Sequence, residues 1–253
     1  MMTANRANER GKILWLCLTF LAFFLALGLS WIILSSVNFG YEYLYHAIGI
    51  DQHIAKYAPH NPLKADFVMT TDAERFRLFA AVVQAIHQHG EGLAELSYKS
   101  PQGQVMQQLF THDEVVHLQD VAILVERMKW LLMVVIAWFV LLSAWLYQRR
   151  IAMPPFWSLL AYVLLTLVVV TVIILAIGVH DVFSQLHIWA FPQEHKWLFY
   201  YQESLMSTMM KAPDLFGYIA VLLMLVAVII FVLIMAVWRK LQVSRINSSH
   251  NQS

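Results

Sequence analysis

The sequence predicts an all-α membrane protein with four transmembrane helices, two helical loops that face outward, and both termini in the cytoplasm. Of the 253 residues, 60% are hydrophobic and only 13% are charged, whereas a typical globular protein has roughly 45–50% apolar and about 25% charged residues. The apolar residues are also concentrated in four uncharged runs, each long enough to cross a bilayer. We treat residues 1–253 as a single membrane domain because no repeat or flexible linker divides them.

The four runs cover about residues 13–37, 130–147, 156–179 and 215–238. About 20 helical residues cross the roughly 30 Å hydrocarbon core, so the 18 residues of the second run are near the lower limit. Continuous apolar runs favour helices over the alternating pattern of a β-barrel. The first run could instead be a signal peptide, but it is longer than a typical signal-peptide core and no A-x-A site follows it, so we expect a span.

The charges between the runs predict the orientation in the membrane. The N-terminus, the link between the second and third spans, and the C-terminal tail together hold eight basic residues and one acid. Residues 38–129 and 180–214 hold nine basic and fifteen acidic residues. Because basic residues near a span are retained in the cytoplasm, we expect these two long segments to lie on the outer face of the cytoplasmic membrane.

The composition argues against several classes of function. The 17 basic and 16 acidic residues nearly cancel, so the chain lacks the positive excess of a nucleic-acid-binding protein. Its one cysteine, Cys17, lies in an apolar run, which argues against a thiolate nucleophile or a cysteine metal cluster. The chain has no H-E-x-x-H and no nucleotide motif. We therefore predict no metal and no cofactor, although a zinc site assembled from distant residues stays open.

The outer segments hold ten of the eleven histidines, so chemistry is expected there. In the first of these segments the capping-box pattern Thr71-x-x-Glu74, followed later by Gly90, predicts a helix over residues 72–89. Its apolar side chains recur on one side, which indicates packing against the membrane surface or neighbouring elements.

A second capping box, Thr111-x-x-Glu114, predicts a helix that continues without a breaker into the second span. On this helix Asp113 and Asp120 lie four residues before and three residues after His117, so either carboxylate could reach the imidazole. A carboxylate fixes the tautomer of a histidine and tunes its basicity, as a proton-transfer site requires. A purely structural ion pair remains the alternative.

The second outer segment is rich in aromatic residues. These could form an interfacial belt, a cleft for acyl chains, or both; they are Trp189, Phe191, Trp197, Phe199, Tyr200 and Tyr201. His187 lies among apolar residues, where burial would lower its pKa and keep the ring neutral. Ser184 precedes it by three residues, but without a G-x-S-x-G elbow a serine hydrolase is disfavoured.

These residues carry a resemblance to a known family. The pattern E-x-x-H-L-x-D-V at residues 114–121 resembles the first motif of the lipoprotein intramolecular transacylases, the Lit family. A second run after the third span resembles that family's second motif, with Phe183, His187, Phe191, Pro192, Trp197, Leu198 and Phe199. Pro213 with Phe216 is similar to the family's closing element. The match extends over about residues 96–216 and includes the four-span layout.

The chain departs from the family pattern at two places. Ala122 stands where the family has lysine, and the acid expected before a Leu-Ile pair is shifted to Glu203. Both departures concern substrate preference rather than the reaction.

The resemblance implies an enzyme that acts on bacterial diacylglyceryl lipoproteins in the outer leaflet of the cytoplasmic membrane, among membrane lipids. It implies transfer of the sn-2 acyl chain from the diacylglyceryl group to the α-amino group of the same cysteine, giving an N-acyl, S-monoacylglyceryl (lyso-form) lipoprotein. It also implies that His117 and His187 are the two essential histidines. We further expect four residues to bind the substrate: Glu114, Phe183, Phe191 and Trp197.

The chemistry suits two histidines. An α-amino group has a pKa near 8, so about a tenth of it is neutral at pH 7. After attack, the nitrogen must lose a proton and the departing glycerol oxygen must gain one, which one general base and one general acid accomplish without a covalent protein intermediate. Our hypothesis makes His117, oriented by Asp120, the base and His187 the acid, and an exchange of these roles stays open.

Two other functions remain open from the sequence alone. The first is a non-enzymatic membrane sensor or assembly factor whose outward-facing histidines titrate near pH 6. The second is a metal-dependent membrane hydrolase.

Overall fold

The computed structural model describes the backbone of residues 2–250 and the side chains of residues 9–245. Within that range the chain forms nine α-helices and one β-hairpin. The helices are α1 (Met2–Ser36), α2 (Tyr41–Ala47), α3 (Ile50–Tyr57), α4 (Asp72–His87), α5 (His112–Gln148), α6 (Phe156–Ile177), α7 (Val179–Ala190), α8 (Leu205–Met210) and α9 (Asp214–His250). The hairpin pairs β1 (Ser97–Lys99) with β2 (Val105–Gln108), and short 3-10 helices occupy Asn38–Gly40, Ala58–His60 and Ala65–Met69.

Four helices are long and apolar enough to span a membrane, which confirms the predicted number of spans. They comprise Glu9–Ser36, His112–Gln148, Phe156–Ile177 and Asp214–Arg245. The second of the four is longer than the apolar run that predicted it, because the capped helix that begins at His112 continues into that run without interruption. His117 on this helix is therefore held by a rigid element.

The contacts within the chain divide it into two compact units, and the single membrane domain expected from the sequence stays a prediction. The first unit contains residues 1–32, 129–182 and 223–253, and the second contains residues 33–128 and 183–222. The first unit holds most of the apolar helical residues, and the second holds most of the two polar segments between them.

The first unit is built around aromatic and small side chains of its long helices. Trp15 meets Trp238 edge to face at 5.6 Å between ring centroids, and Phe23 meets Phe231 in the same way at 5.7 Å. Gly28 lets α1 approach α5 closely, since a Cβ added there would lie 2.3 Å from a methyl group of Leu132. Small residues at helix contacts are typical of membrane proteins, in which close van der Waals packing takes the place of the hydrophobic effect.

The second unit has a core of stacked aromatic rings and a buried cation. Tyr41 lies flat against Phe79 with 3.9 Å between centroids. Arg75 is buried, and its guanidinium donates to the hydroxyl of Tyr45 at 2.6 Å and to that of Thr70 at 2.9 Å. These bonds offset the cost of taking the charge out of water. The rigid core supports the segments that carry the site.

Helix α4 begins at the predicted N-cap but ends earlier than predicted. The Thr71 hydroxyl accepts a hydrogen bond from the backbone N–H of Glu74, while the Glu74 carboxylate binds Arg77 and the backbone N–H of Lys99, so only half of the capping box forms. The predicted end at residue 89 is wrong, because the helix stops at His87 and the next turn is closed by left-handed residues, His89 at φ 59° and Gly90 at φ 81°.

The hairpin was not predicted from the sequence. Its strands have only three and four residues, too few for an alternating pattern to be recognised. The Tyr98 side chain on β1 is fully buried, and its hydroxyl donates to Asp66 at 2.6 Å. This bond attaches the hairpin to the rest of the second unit.

Candidate active site

The start of α5 is anchored by a buried carboxylate. Both the backbone N–H and the hydroxyl of Thr111 donate to Oε2 of Glu114, at 2.6 and 2.8 Å. The other oxygen, Oε1, accepts from the Ser204 hydroxyl at 2.5 Å and from the backbone N–H of Met206 at 3.0 Å. Glu114 therefore joins the two polar segments at the point where α8 begins.

The sequence predicts that Glu114 binds the substrate, and its surroundings bear on that prediction. The residue is only 1% exposed, and both of its carboxylate oxygens accept hydrogen bonds from the chain itself. These bonds fix the first turn of the helix that carries His117 three residues further along.

The structure brings the two predicted histidines together. His117 on α5 and His187 on α7 lie with their rings nearly parallel, at an interplanar angle of 23°, and with their centroids 6.2 Å apart. His117 is 7% exposed. Among the side chains of residues 9–245, none forms a hydrogen bond with its Nδ1 atom.

His187 is held by its own helix. Its Nδ1 lies 2.8 Å from the backbone carbonyl of Phe183. A carbonyl oxygen only accepts hydrogen bonds, so Nδ1 carries the hydrogen and Nε2 of the neutral ring presents a lone pair. Burial lowers the pKa of His187, although the bond to Phe183 acts in the opposite direction. The ring is therefore a neutral proton acceptor near pH 7.

Asp120 does not bond to His117. Its Oδ2 accepts a hydrogen bond from Nδ1 of His195 at 2.7 Å. The second polar segment brings the imidazole of His195 to this carboxylate, and the expectation that Asp120 orients His117 stays a prediction. Asp113, the other carboxylate near His117 in sequence, is exposed.

Sequence reasoning did not single out His195. It stands three residues after Pro192, between the residues of the second motif, and no local spacing links it to α5. The available signal was the presence of a second histidine inside a motif that already carried His187.

Aromatic rings enclose the two histidines. Phe183 and Trp197 lie 4.0 and 5.0 Å from His187, and Phe191 lies 5.0 Å from His117, as measured between ring centroids. The three aromatic residues expected to bind substrate are thus placed at the site. Phe199, which was considered only for the belt, also approaches His117, at 5.9 Å.

The other aromatic residues of this segment divide between two surroundings. Trp189 and Tyr200 are exposed, as an interfacial belt requires. Tyr201 instead packs on His53 of α3, with 4.4 Å between ring centroids. The interfacial belt and the cleft for acyl chains both stay predictions, each for different residues.

Within residues 9–245, no three His, Cys, Asp or Glu side chains are grouped so that they could hold a metal ion. What the site offers is a pair of histidines, a carboxylate-bound third histidine and an apolar aromatic lining. Such an arrangement can transfer protons beside an acyl chain.

Comparison with known proteins identifies a matching family. A family model described as "Lipoprotein intramolecular transacylase Lit" matches residues 12–216. No curated protein matches the chain.

Three solved structures are similar, all of the lipoprotein intramolecular transacylase Lit from Bacillus cereus determined in meso. A form with one histidine replaced by arginine has a TM-score of 0.65 and 13% identity, with 98% of each chain covered. A form with that histidine replaced by alanine has a TM-score of 0.65 and 12% identity, with 96% of this chain and 98% of the other covered. A third structure has a TM-score of 0.63 and 13% identity, with 95% and 99% covered.

Proposed function

Because this chain belongs to the lipoprotein intramolecular transacylase family, we propose that it moves the sn-2 acyl chain of a diacylglyceryl-cysteine lipoprotein to the α-amino group of the same cysteine. The product is an N-acyl, S-monoacylglyceryl lipoprotein. The substrate is a bacterial diacylglyceryl lipoprotein in the outer leaflet of the cytoplasmic membrane. The observation that carries the catalytic part of the proposal is the pairing of His117 with His187, 6.2 Å apart inside an aromatic enclosure.

His187 moves the proton between the two reacting atoms. After the amine attacks the ester carbonyl, the nitrogen is cationic and the glycerol oxygen must depart with a proton. Nε2 of His187 is the available acceptor, because Nδ1 is committed to the Phe183 carbonyl. The same ring then delivers the proton to the glycerol oxygen, as histidine does in acyl-transfer enzymes.

His117 acts in its neutral form. A buried charge is costly unless it is paired, and Asp120, the carboxylate expected to pair with this ring, is bonded to His195 instead. We assign His117 as the hydrogen-bond donor to the carbonyl oxygen, which becomes negative in the tetrahedral intermediate. This replaces the earlier hypothesis of His117 as base and His187 as acid.

The aromatic lining holds the migrating chain. Phe183, Phe191 and Trp197 surround the histidine pair and offer the apolar surface that an acyl chain requires. Donor and acceptor belong to one molecule, so positioning alone lowers the barrier. The reaction needs neither a cofactor nor a covalent protein intermediate.

The test uses a bacterial host that makes only diacylated lipoproteins. We expect expression of the wild-type chain to convert them, as located by mass spectrometry and fragmentation of the N-terminal lipopeptide. His187→Ala should reduce the conversion rate by about 10²–10⁴-fold, the range for losing a general base or acid. His117→Ala should reduce it by about 10²–10³-fold, the range for losing an oxyanion donor.

His60→Ala is the matched control, since this exposed histidine is bonded only to a carbonyl of its own segment, that of Lys56. It should convert like wild type at equal membrane abundance. Normal conversion by either active-site variant would contradict the assignment. Lipopeptides that stay unchanged with the wild-type chain would favour a sensor or assembly factor, and activity lost on chelation would favour a metal-dependent hydrolase.

A further inference from the structure

The proposed reaction releases one proton that the histidine pair does not account for. The α-ammonium group that predominates at pH 7 carries three hydrogens. The amide product keeps one of them, and His187 transfers a second to the glycerol oxygen. The third must leave as a proton before the nitrogen can attack, and it must reach water. A complete site therefore needs a further acceptor in contact with solvent.

We propose that His195, held by Asp120, accepts this proton from the substrate ammonium and passes it to water. This proposal rests on the proposed function. Nδ1 of His195 lies 2.7 Å from Oδ2 of Asp120. A carboxylate only accepts hydrogen bonds, so Nδ1 carries the hydrogen and Nε2 of the neutral ring is a proton acceptor.

Exposure distinguishes His195 from His117. The Asp120 side chain is 11% exposed, whereas the His195 side chain is 36% exposed. His195 is therefore fixed at one ring nitrogen by a nearly buried carboxylate and remains in contact with solvent. His117 is buried, so it lacks a direct route for a proton to bulk water.

His195 is linked to the histidine pair through its neighbours. Its partner Asp120 follows His117 by less than one turn of α5. Two residues after His195, the Trp197 ring lies 5.0 Å from His187, and Phe199 lies 5.9 Å from His117. The segment that carries His195 thus contacts both His117 and His187.

The charges around His195 favour loss of the substrate proton. Asp120 faces the ring from α5, and Glu194 and Lys196 flank it on its own segment. The Lys196 ammonium lies 5.1 Å from the centroid of Phe199, whose ring contacts His117. The Lys196 charge disfavours a second cation at the site, whereas Asp120 and Glu194 act in the opposite direction. The carboxylate bonded to His195 stabilises the imidazolium that forms when this ring takes the proton.

The test is the pH dependence of kcat/KM for His195→Asn on a synthetic diacylglyceryl lipopeptide, using purified full-length protein in detergent. Asparagine can still donate to Asp120 but cannot transfer a proton, so the variant must use the fraction of substrate that is already neutral. With an amine pKa near 8, we expect about a tenfold loss at pH 7 and less than about a twofold loss at pH 9. Asp120→Asn should show the same recovery at high pH.

His89→Asn is the matched control. The His89 ring is exposed, and its Nδ1 lies 4.0 Å from the carboxylate of Glu126, which is on α5 like Asp120. It should match wild type at every pH. An equal loss at pH 7 and pH 9 for His195→Asn would show a structural role and overturn the proposal, as would full activity at pH 7. His187→Ala should be impaired at both pH values, so a failure of the proposed function is separable from a failure of this inference.

Discussion

At the scale of single residues, the carboxylate of Glu114 stabilises the fold through contacts that one substitution can test. It accepts four hydrogen bonds from Thr111, Ser204 and Met206 while almost fully buried. Glu114→Gln replaces one acceptor oxygen with a donor that faces other donors. Leaving buried donors unsatisfied costs about 1–3 kcal/mol, so we expect a melting temperature several degrees lower by thermal unfolding in detergent.

Asp113→Asn is the control for this change, since it removes an exposed carboxylate from the same first turn of α5. It should lose only the weak interaction with the helix dipole, about 0.3–1 kcal/mol. If both variants melted at the same temperature, Glu114 would not be the anchor that its contacts indicate.

The spacing E-x-x-H-x-x-D shows what residue-level reasoning can reach. It placed the carboxylate of Asp120 within reach of His117, because residues three apart are neighbours on a helix. It could not show that both acids face the second polar segment, on either side of His117. The partner of Asp120 lies 75 positions away and that of Glu114 lies 90 positions away, and local periodicity carries no information about such pairs.

At the scale of elements, the packing of α3 on the second polar segment predicts sensitivity to acid. The His53 ring lies between Tyr57 and Tyr201, at 4.6 and 4.4 Å, and its Nε2 is buried without a hydrogen-bond partner among residues 9–245. Burial, assisted by the charge of Lys211, lowers the pKa of His53 to about 4. The folded state therefore favours the neutral His53 ring.

The sign of the effect follows from the two protonation states. Between about pH 6.5, the ordinary value, and pH 4, the unfolded chain binds a proton here that the folded chain does not. His53 therefore does not lower the free energy of unfolding above about pH 6.5. As the pH falls from there towards 4, its titration lowers the free energy of unfolding progressively. His53→Phe keeps the aromatic contact and removes the titration, so its melting temperature should fall less than that of wild type between pH 7.5 and pH 5.

His60→Phe serves as the comparison, because its ring is exposed and lies on the next turn of the chain. It should lose stability on acidification as wild type does. An acid-induced decrease in His53→Phe as large as that of wild type would mean that another group is responsible.

Elements with strong local signals were predictable, and elements that depend on distant contacts were not. The four long helices follow from uncharged apolar runs of the length that crosses a bilayer. Helix α4 begins where Thr71 caps it. The hairpin of β1 and β2 has no such signal, since its stability comes from Tyr98 buried against residues about 30 positions earlier, including its bonded partner Asp66. Burial of that kind is decided only when the chain has folded.

At the scale of the whole molecule, the distribution of charge predicts which face of the membrane holds the site. Arg149, Arg150, Arg239, Lys240 and Arg245 all lie at or beyond the ends of apolar runs, and Arg245 donates to the backbone carbonyl of Tyr147 at 2.7 Å. Basic residues in such positions are retained in the cytoplasm. We therefore expect the histidine-bearing segments to face outward, where diacylglyceryl lipoproteins would meet them.

Cysteine labelling in intact spheroplasts tests this orientation. In a Cys17→Ser background, Gln102→Cys lies in the exposed turn of the hairpin and Gln148→Cys lies at the exposed end of α5. A membrane-impermeant maleimide should label the first without permeabilisation and the second only after it, because only the first faces outward. Labelling of both sites after permeabilisation is the control for folding and reactivity. The reverse pattern would place His117 and His187 on the cytoplasmic face, out of reach of outer-leaflet substrates, and would contradict the proposed location of the reaction.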